Sequence, residues 1–138
     1  MIYLDSAATT LQKPPAVARA SVRAIRSMSS PGRGGHQASR LGAETAYLCR
    51  KAAAELFDVD DPEQVVFTFN ATHGLNIAIK TLVKPGMTVL ISGYEHNAVT
   101  RPLHAIGNVT VKTAAAPLFQ PEKMIAELER LLTPEVDA

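Results

Sequence analysis

The chain has 138 residues, 46% of them hydrophobic and 20% charged, which is typical of one soluble globular domain and leaves little room for a second complete one. The 14 basic and 13 acidic residues give a net charge of +1 with no basic cluster, so the composition indicates no nucleic-acid partner. A single cysteine excludes an intramolecular disulfide.

The start of the chain, Met1–Asp5, has neither the charged segment nor the long apolar core of a signal peptide. No apolar run approaches the ~20 residues that a membrane-spanning helix needs. We therefore expect a cytoplasmic protein without a membrane partner. Because Cys49 follows Leu48 and lies shortly before Ala52 and Ala53 on a predicted helix, we expect a packed, unreactive thiol.

Residues 1–15 are predicted to form an N-terminal arm. Ile2–Leu4 is a short extended run, and the segment Ser6–Thr10 that follows Asp5 contains only small side chains. Small side chains in a row allow the backbone to approach a ligand closely, but an arm that ends in a plain loop would have the same composition. Both interpretations stay open on composition alone.

Two helices and a glycine-rich loop are predicted next. A proline pair suits the start of a helix from Ala16 to Met28, whose arginines form a solvated face. The loop Ser29–Gly35 carries Arg33 and is followed by His36; both side chains can bind a carboxylate or phosphate. A solvated arginine beside a helix-capping residue is the alternative. A long helix follows from Gln37 to Leu56. The predicted apolar residues are Val17, Ala20, Ala24 and Ile25 on the first helix and Leu41, Thr45, Leu48, Ala52 and Leu56 on the second.

The centre of the chain joins an apolar run to a helical pattern. Val65–Phe69 is predicted to be a buried strand, and apolar residues then recur at helical spacing from Leu75 to Leu82. The tripeptide Asn70–Thr72 between them is therefore a strand-to-helix turn. Such a turn exposes free backbone N–H groups at a helix N-terminus, which suits a phosphate or another anion.

The second half alternates strands and helices. The pattern predicts strands at Thr88–Ser92 and Asn108–Thr113, a helix from Ala98 to Ile106, and a last helix from Pro121 to Leu132. This alternation indicates βαβ units and hence a mainly parallel sheet with helices on its faces. Ligands of such sheets bind beyond the carboxyl ends of the strands. Two segments follow predicted strands and are expected at the same edge, namely Asn70–Thr72 and Glu95–Asn97.

Several motifs, taken in order, resemble those of the cysteine desulfurases, class V aminotransferase-like enzymes that use pyridoxal phosphate. Each motif alone is weak, whereas the whole set in this order is highly specific. The resemblance implies an α/β fold, part of the large domain of the pyridoxal-phosphate-dependent transferase fold type I. It runs from residue 2 to the end of the chain but covers only the early part of what the family usually has. The motifs are Tyr3–Thr10, Lys13–Pro14, Pro31–His36, Phe67–Thr72, Asn76, Glu95–Val99 and Arg101–Leu103.

The resemblance assigns the cofactor site to two segments. It implies that Asn70, Ala71 and Thr72 bind the phosphate of pyridoxal phosphate through backbone N–H groups and the threonine hydroxyl. It also implies that His96 lies over the pyridoxal ring and assists proton transfer as a catalytic residue. A helix-capping or otherwise hydrogen-bonded loop histidine is the alternative for His96.

The resemblance also implies a substrate site. Ala7 and Ala8 match small residues that border the substrate pocket, and Arg33 and His36 match a loop near the active site that often contributes across a dimer interface. Asn76 would support the site as a nearby polar residue. The family substrate is L-cysteine or a related amino acid, and a homodimer is expected.

The sequence departs from the family pattern in several places. His73 stands where the family most often has glutamate, and Ser6 stands where asparagine is commonest. Three further family residues match no motif here: the lysine that holds the cofactor, the aspartate that pairs with its pyridine nitrogen, and the cysteine that accepts sulfur. The lysines of this chain belong to turns or helix faces, and Cys49 lies on a helix.

We therefore expect residues 1–138 to be the N-terminal part of an incomplete desulfurase-like domain that is inactive without the missing C-terminal part. One alternative is a non-catalytic remnant or split-enzyme subunit that binds a phosphate ligand or a partner chain. Another is an independent small α/β domain without a cofactor.

Overall fold

The computed structural model describes residues 2–138, which divide into two compact units, residues 2–66 and 67–138. The predicted helices are confirmed with their ends within two residues of the expected positions. The first unit contains α1 (Pro15–Ser27), α2 (Gln37–Phe57) and a 3-10 turn (Pro62–Gln64). The second unit contains α3 (Ala71–Leu82), β1 (Thr88–Ser92), α4 (Asn97–Ile106), β2 (Thr110–Ala114) and α5 (Pro121–Leu131).

In the first unit, α2 packs against α1 and the 3-10 turn. Its buried residues are Ser39 and Ala54, which are 1% and 2% exposed. The Ser39 hydroxyl donates to the carbonyl of Ser30 at 2.9 Å, so the buried polar group is paired. These contacts join the start of α2 to the loop that precedes it.

The predicted packing of α2 is wrong in two respects. Leu48 and Leu56, expected on its buried stripe, are 54% and 76% exposed. Cys49, expected to be a packed thiol, is exposed and free. The physical reason is that the residues α2 buries are the small Ser39 and Ala54, and small residues permit a close approach of neighbouring segments. The apolar face predicted for α1 is also largely exposed, with Ile25 at 84%.

The second unit contains the predicted parallel βαβ arrangement. β1 and β2 pair in parallel, with register running from Thr88 opposite Thr110 to Ser92 opposite Ala114, and α4 forms the crossover. The core centres on Val83, Val89 and Leu103. Partly buried side chains from α3, α4 and both strands surround these three; they include Ile79, Ile91, Val99, Ile106 and Val111. α3 and α4 pack against each other.

The predicted strand at Val65–Phe69 is not formed, since the sheet of residues 2–138 consists of β1 and β2. A strand needs a neighbour for its backbone N–H and C=O groups. One edge of β1 pairs with β2. Along its other edge, β1 forms backbone hydrogen bonds with Asp137 and Ala138, each 2.8 Å long. Val66 and Phe69 are accordingly 71% and 94% exposed.

β2 begins at Thr110, two residues later than predicted. Gly107 and Asn108 precede it with φ angles of 71° and 50°. These positive angles belong to a turn and are incompatible with an extended strand, so the ladder starts only after them.

Candidate functional site

The N-terminus of α3 offers free hydrogen-bond donors. Its cap Asn70 accepts the N–H of His73 on Oδ1 at 2.9 Å, and its carbonyl accepts the N–H of Gly74 at 3.1 Å. The N–H groups of Ala71 and Thr72 have no acceptor within residues 2–138, and the Thr72 hydroxyl is also unpaired there. All three donors lie at the positive end of a 12-residue helix, which suits an anion.

The turn before α3 is fixed by local contacts. The Thr68 hydroxyl donates to the Asn70 carbonyl at 3.0 Å, and the N–H of Phe69 donates to Nδ1 of His73 at 3.4 Å. The rings of Phe69 and His73 stack with centroids 5.2 Å apart. His73, the residue that departs from the family pattern, therefore serves here to hold the turn that orients the helix start.

His96 is the N-cap of α4. Its Nδ1 atom accepts the N–H of Ala98 at 3.0 Å, so the capping role considered for this histidine is realised. A neutral ring that accepts at Nδ1 carries its proton on Nε2, which leaves Nε2–H as a donor. The adjacent Glu95 accepts the hydroxyl of Ser92 at 2.7 Å and is thereby drawn toward β1.

A cavity of about 320 Å³ between α3 and α4 brings several predicted site residues together. Thr72, Asn76 and His96 all line it, which confirms that the two segments expected at one edge lie side by side. The Asn76 amide donates to the Thr72 carbonyl at 2.9 Å and is held against α3. The cavity is also lined by Lys80, Asn97, Ala98, Arg101, Pro102 and Ala105.

Lys80 and Arg101 are site residues that the sequence interpretation missed, since it assigned Lys80 to a helix face and gave Arg101 no role. For Lys80, the sequence spacing does indicate a place beside the other site residues. Thr72, Asn76 and Lys80 lie four residues apart, which places them on one face of a helix.

In the first unit, Ala7 and Ala8 lie in a tight exposed turn. The N–H of Ala8 donates to the Asp5 carbonyl at 3.1 Å, and the Tyr3 hydroxyl donates to the Thr9 carbonyl at 2.7 Å. The turn is thus closed by its own backbone and by one tyrosine. It presents a small-residue surface to solvent, as a close approach to a ligand requires.

The glycine-rich loop is built around His36, which caps α2 through Nδ1 and the N–H of Ser39 at 3.3 Å. A Cβ atom on Gly34 would lie 2.9 Å from the His36 ring, so only glycine fits there. Arg40 donates to the Gly35 carbonyl at 2.8 Å and braces the loop. Arg33 is exposed and, within residues 2–138, has no hydrogen bond or ion pair, so its guanidinium is available.

In the described part of the chain, no group of three or more histidine, cysteine or acidic side chains is arranged to hold a metal ion. None of the helices in that part combines the length and apolarity needed to cross a membrane.

Comparison with known proteins places these features in a family. The sequence model of the family "Aminotransferase class-V" matches residues 2–137. The chain is 36% identical over 108 residues to the cysteine desulfurase IscS of Shewanella sediminis, and equally so to that of Shewanella loihica. In each case the match covers 71% of this chain and 26% of the relative. The chain therefore spans about a quarter of the length of these curated relatives.

A solved structure gives the same result. The cysteine desulfurase CsdA from Escherichia coli, determined in an S-sulfonic acid form, matches with a TM-score of 0.70 and 26% identity. The match covers 97% of this chain and 35% of CsdA. The chain belongs to the class V aminotransferase family, and the relatives and the solved structure that it resembles here are cysteine desulfurases.

Proposed function

We propose that this chain supplies the phosphate-binding and ring-contacting part of a pyridoxal-phosphate-dependent enzyme that mobilises sulfur from L-cysteine or a related amino acid. One observation carries the proposal. The free N–H groups at the start of α3 and the Thr72 hydroxyl lie beside a cavity, and His96 also lines this cavity. When bound, pyridoxal phosphate supplies the electron sink that amino-acid bond cleavage needs.

The donor set fits the phosphate of this cofactor. Ala71 and Thr72 each offer a backbone N–H, and Thr72 adds a hydroxyl, so three donors without an acceptor among the described residues lie at one helix start. Asn70 contributes by fixing the helix start through its bond to His73. Asn76 contributes less directly, because its amide is held by the Thr72 carbonyl and keeps that turn of α3 in place.

His96 fits the role of a flat residue against the pyridoxal ring. Its bond to Ala98 restrains the imidazole and leaves Nε2 outside the cap. In this tautomer the ring donates a hydrogen bond or proton from Nε2, while Nδ1 stays engaged in the cap. The helix cap and the catalytic role are therefore compatible in one side chain.

For the first unit, we propose that Ala7 and Ala8 border the substrate and that Arg33 and His36 contribute to the substrate site. The tight turn at Ala7 and the unpaired guanidinium of Arg33 support these roles. His36 acts mainly by shaping its loop, since Nδ1 is engaged by the Ser39 N–H.

Turnover requires residues that this sequence does not contain. No lysine of the sequence occupies the motif that holds the cofactor in the family. Large apolar side chains are also uncovered: Leu56, Phe57, Phe69 and Phe119 are each more than 70% exposed, as expected of faces that further protein surface covers. We propose that residues 1–138 form part of one larger domain, active only with the remainder of that domain and in a dimer. A subunit that binds a phosphate ligand without catalysis is the second candidate, favoured by the same exposed faces.

The first experiment measures cofactor recognition without turnover. Backbone amide signals of the labelled chain are followed by NMR during titration with pyridoxal phosphate and, separately, with pyridoxal. We expect pyridoxal phosphate to shift Ala71 and Thr72, and pyridoxal to shift them far less because it lacks the phosphate. Equal responses to both compounds, or none at Thr72, would refute the phosphate site.

A second experiment tests activity. The chain is co-expressed with the lysine-bearing remainder of a related cysteine desulfurase, and sulfide release from L-cysteine is measured. We expect release only when both parts are present. Cofactor binding without release by any such pair would favour the non-catalytic subunit.

A further inference from the structure

The α3–α4 cavity continues well beyond the two helix starts. Along α3 it is lined by Thr72, Asn76 and Lys80, and along α4 by Asn97, Arg101 and Ala105. Each set is spaced by four residues, so the cavity is a groove between two parallel stripes of side chains. Lys80 lies two helical turns from Thr72, about 12 Å at the helical rise of 1.5 Å per residue.

The groove is cationic, and both of its cations are exposed. Lys80 and Arg101 are its charged lining residues, and no aspartate or glutamate lines it. Within residues 2–138, no carboxylate lies within 4.0 Å of either cation. Glu95, the acidic residue next to His96, bonds to Ser92 and lines a separate apolar cavity.

We propose that Lys80 and Arg101, together with Asn76, form a second oxyanion subsite that takes the carboxylate or phosphate group of a small molecule. Arginine binds a planar or tetrahedral oxyanion with two parallel N–H groups, and lysine adds a mobile point charge. Asn76 contributes a polar wall that its bond to Thr72 keeps in place. The subsite shares a cavity with the helix start, but its two cations have no part in the proposed cofactor function, so the proposal does not depend on that function.

The test titrates the labelled chain with inorganic phosphate, succinate and chloride at constant ionic strength and follows backbone and side-chain NMR signals. We expect phosphate or succinate, but not chloride, to shift Arg101 and Lys80. The double variant Lys80→Met, Arg101→Met should bind about tenfold more weakly at this subsite, because two charge-assisted contacts are lost. Lys123→Met on α5 is the matched control and should leave the response unchanged.

Two further measurements identify the source of the anion and control for misfolded variants. Arg101→Lys retains the charge but loses the paired N–H groups, so it should bind the anion more weakly than the wild type and more tightly than Arg101→Met, provided that signal dispersion matches the wild type. Shifts at Arg101 that depend on protein concentration without added anion would assign the site to an acidic group of a second copy and overturn the small-molecule proposal. Equal shifts with chloride would overturn it as well. Loss of the response at Thr72 alone would count against the cofactor site and leave this subsite supported.

Discussion

Nδ1 of His96 accepts the backbone N–H of Ala98 at 3.0 Å, so one imidazole caps α4 and also lines the cavity beside Thr72. The two roles use different parts of the side chain. The cap needs one acceptor near the backbone, which asparagine also supplies, whereas contact with a cofactor ring needs the flat imidazole. Substitutions at His96 can therefore separate structure from binding.

We predict that His96→Ala lowers the free energy of unfolding by about 1 kcal/mol, because α4 loses its cap. His96→Asn should restore most of that stability, since asparagine is a strong N-cap. Both variants should bind pyridoxal phosphate more weakly than the wild type. Urea denaturation gives the stability and fluorescence titration gives the affinity. Wild-type affinity in His96→Asn would show that the ring makes no contact with the cofactor.

The sequence predicts the ends of the helices better than it predicts how the helices pack. Helix ends were found because they carry local signals, such as the proline at the start of α1 and Asn70 before α3. The turn at Ala71 is predictable for the same reason. The packing of the helices is not predictable in this way, because periodicity shows which residues are apolar but not which neighbour covers them. Leu48 and Leu56 of α2 are the clearest examples, being apolar, helically spaced and exposed.

The unformed strand at Val65–Phe69 has a related explanation. Its apolar composition satisfies the strand pattern, yet a strand forms only when it pairs with another strand. Val65–Phe69 pairs with neither β1 nor β2. Strand propensity is thus a property of the segment, whereas strand formation is a property of the segment and its neighbour.

Thr72 gives a sharp test of the phosphate site. We predict that Thr72→Val weakens binding of pyridoxal phosphate by at least about tenfold, because a hydrogen bond to a charged acceptor contributes roughly 1.5–3 kcal/mol. Thr72→Ser keeps the hydroxyl and should bind nearly as the wild type. Isothermal titration measures both. Binding of pyridoxal, which lacks the phosphate, should not distinguish the variants, and if Thr72→Val weakened it equally the hydroxyl would be contacting another group.

Alanine substitutions at two helical glycines should change the stability of the fold in opposite directions. A Cβ atom at Gly42 in α2 would lie 2.8 Å from the carbonyl oxygen of Ser29, whereas one at Gly74 in α3 would meet Thr68 at 3.4 Å, an ordinary contact. Alanine normally stabilises a helix interior by about 1 kcal/mol relative to glycine. We predict that gain for Gly74→Ala and a loss of about 1–3 kcal/mol for Gly42→Ala, where the backbone of the loop must move.

Thermal denaturation of both glycine variants checks the sign of each stability change. Gly35→Ala is a useful third variant, because nothing lies within 4 Å of its Cβ position. It should change stability little. A stabilised Gly42→Ala would mean that the loop at Ser29 does not pack against α2.

Glu127 and Arg130 on α5 give a prediction for pH. Arg130 donates to both carboxylate oxygens of Glu127, at 2.8 and 2.6 Å, and these hydrogen bonds hold the pKa of Glu127 below its usual range. A lowered pKa in the folded state stabilises the fold at pH values above the ordinary glutamate pKa. That contribution is lost as the pH falls through the lowered value. Because the pair is exposed, the effect on stability is small and is screened by salt.

We predict that the titration midpoint of the Glu127 carboxyl, followed by carbon NMR, lies below the ordinary glutamate value and rises toward it in Arg130→Gln. Salt should raise the wild-type midpoint in the same direction, because the attraction to Arg130 is partly Coulombic. Lys51→Gln removes a comparable exposed charge from α2, beside Glu55, and should leave the Glu127 midpoint unchanged. If Arg130→Gln also left it unchanged, the hydrogen bonds to Arg130 would not persist in solution, and the contact would contribute nothing to α5.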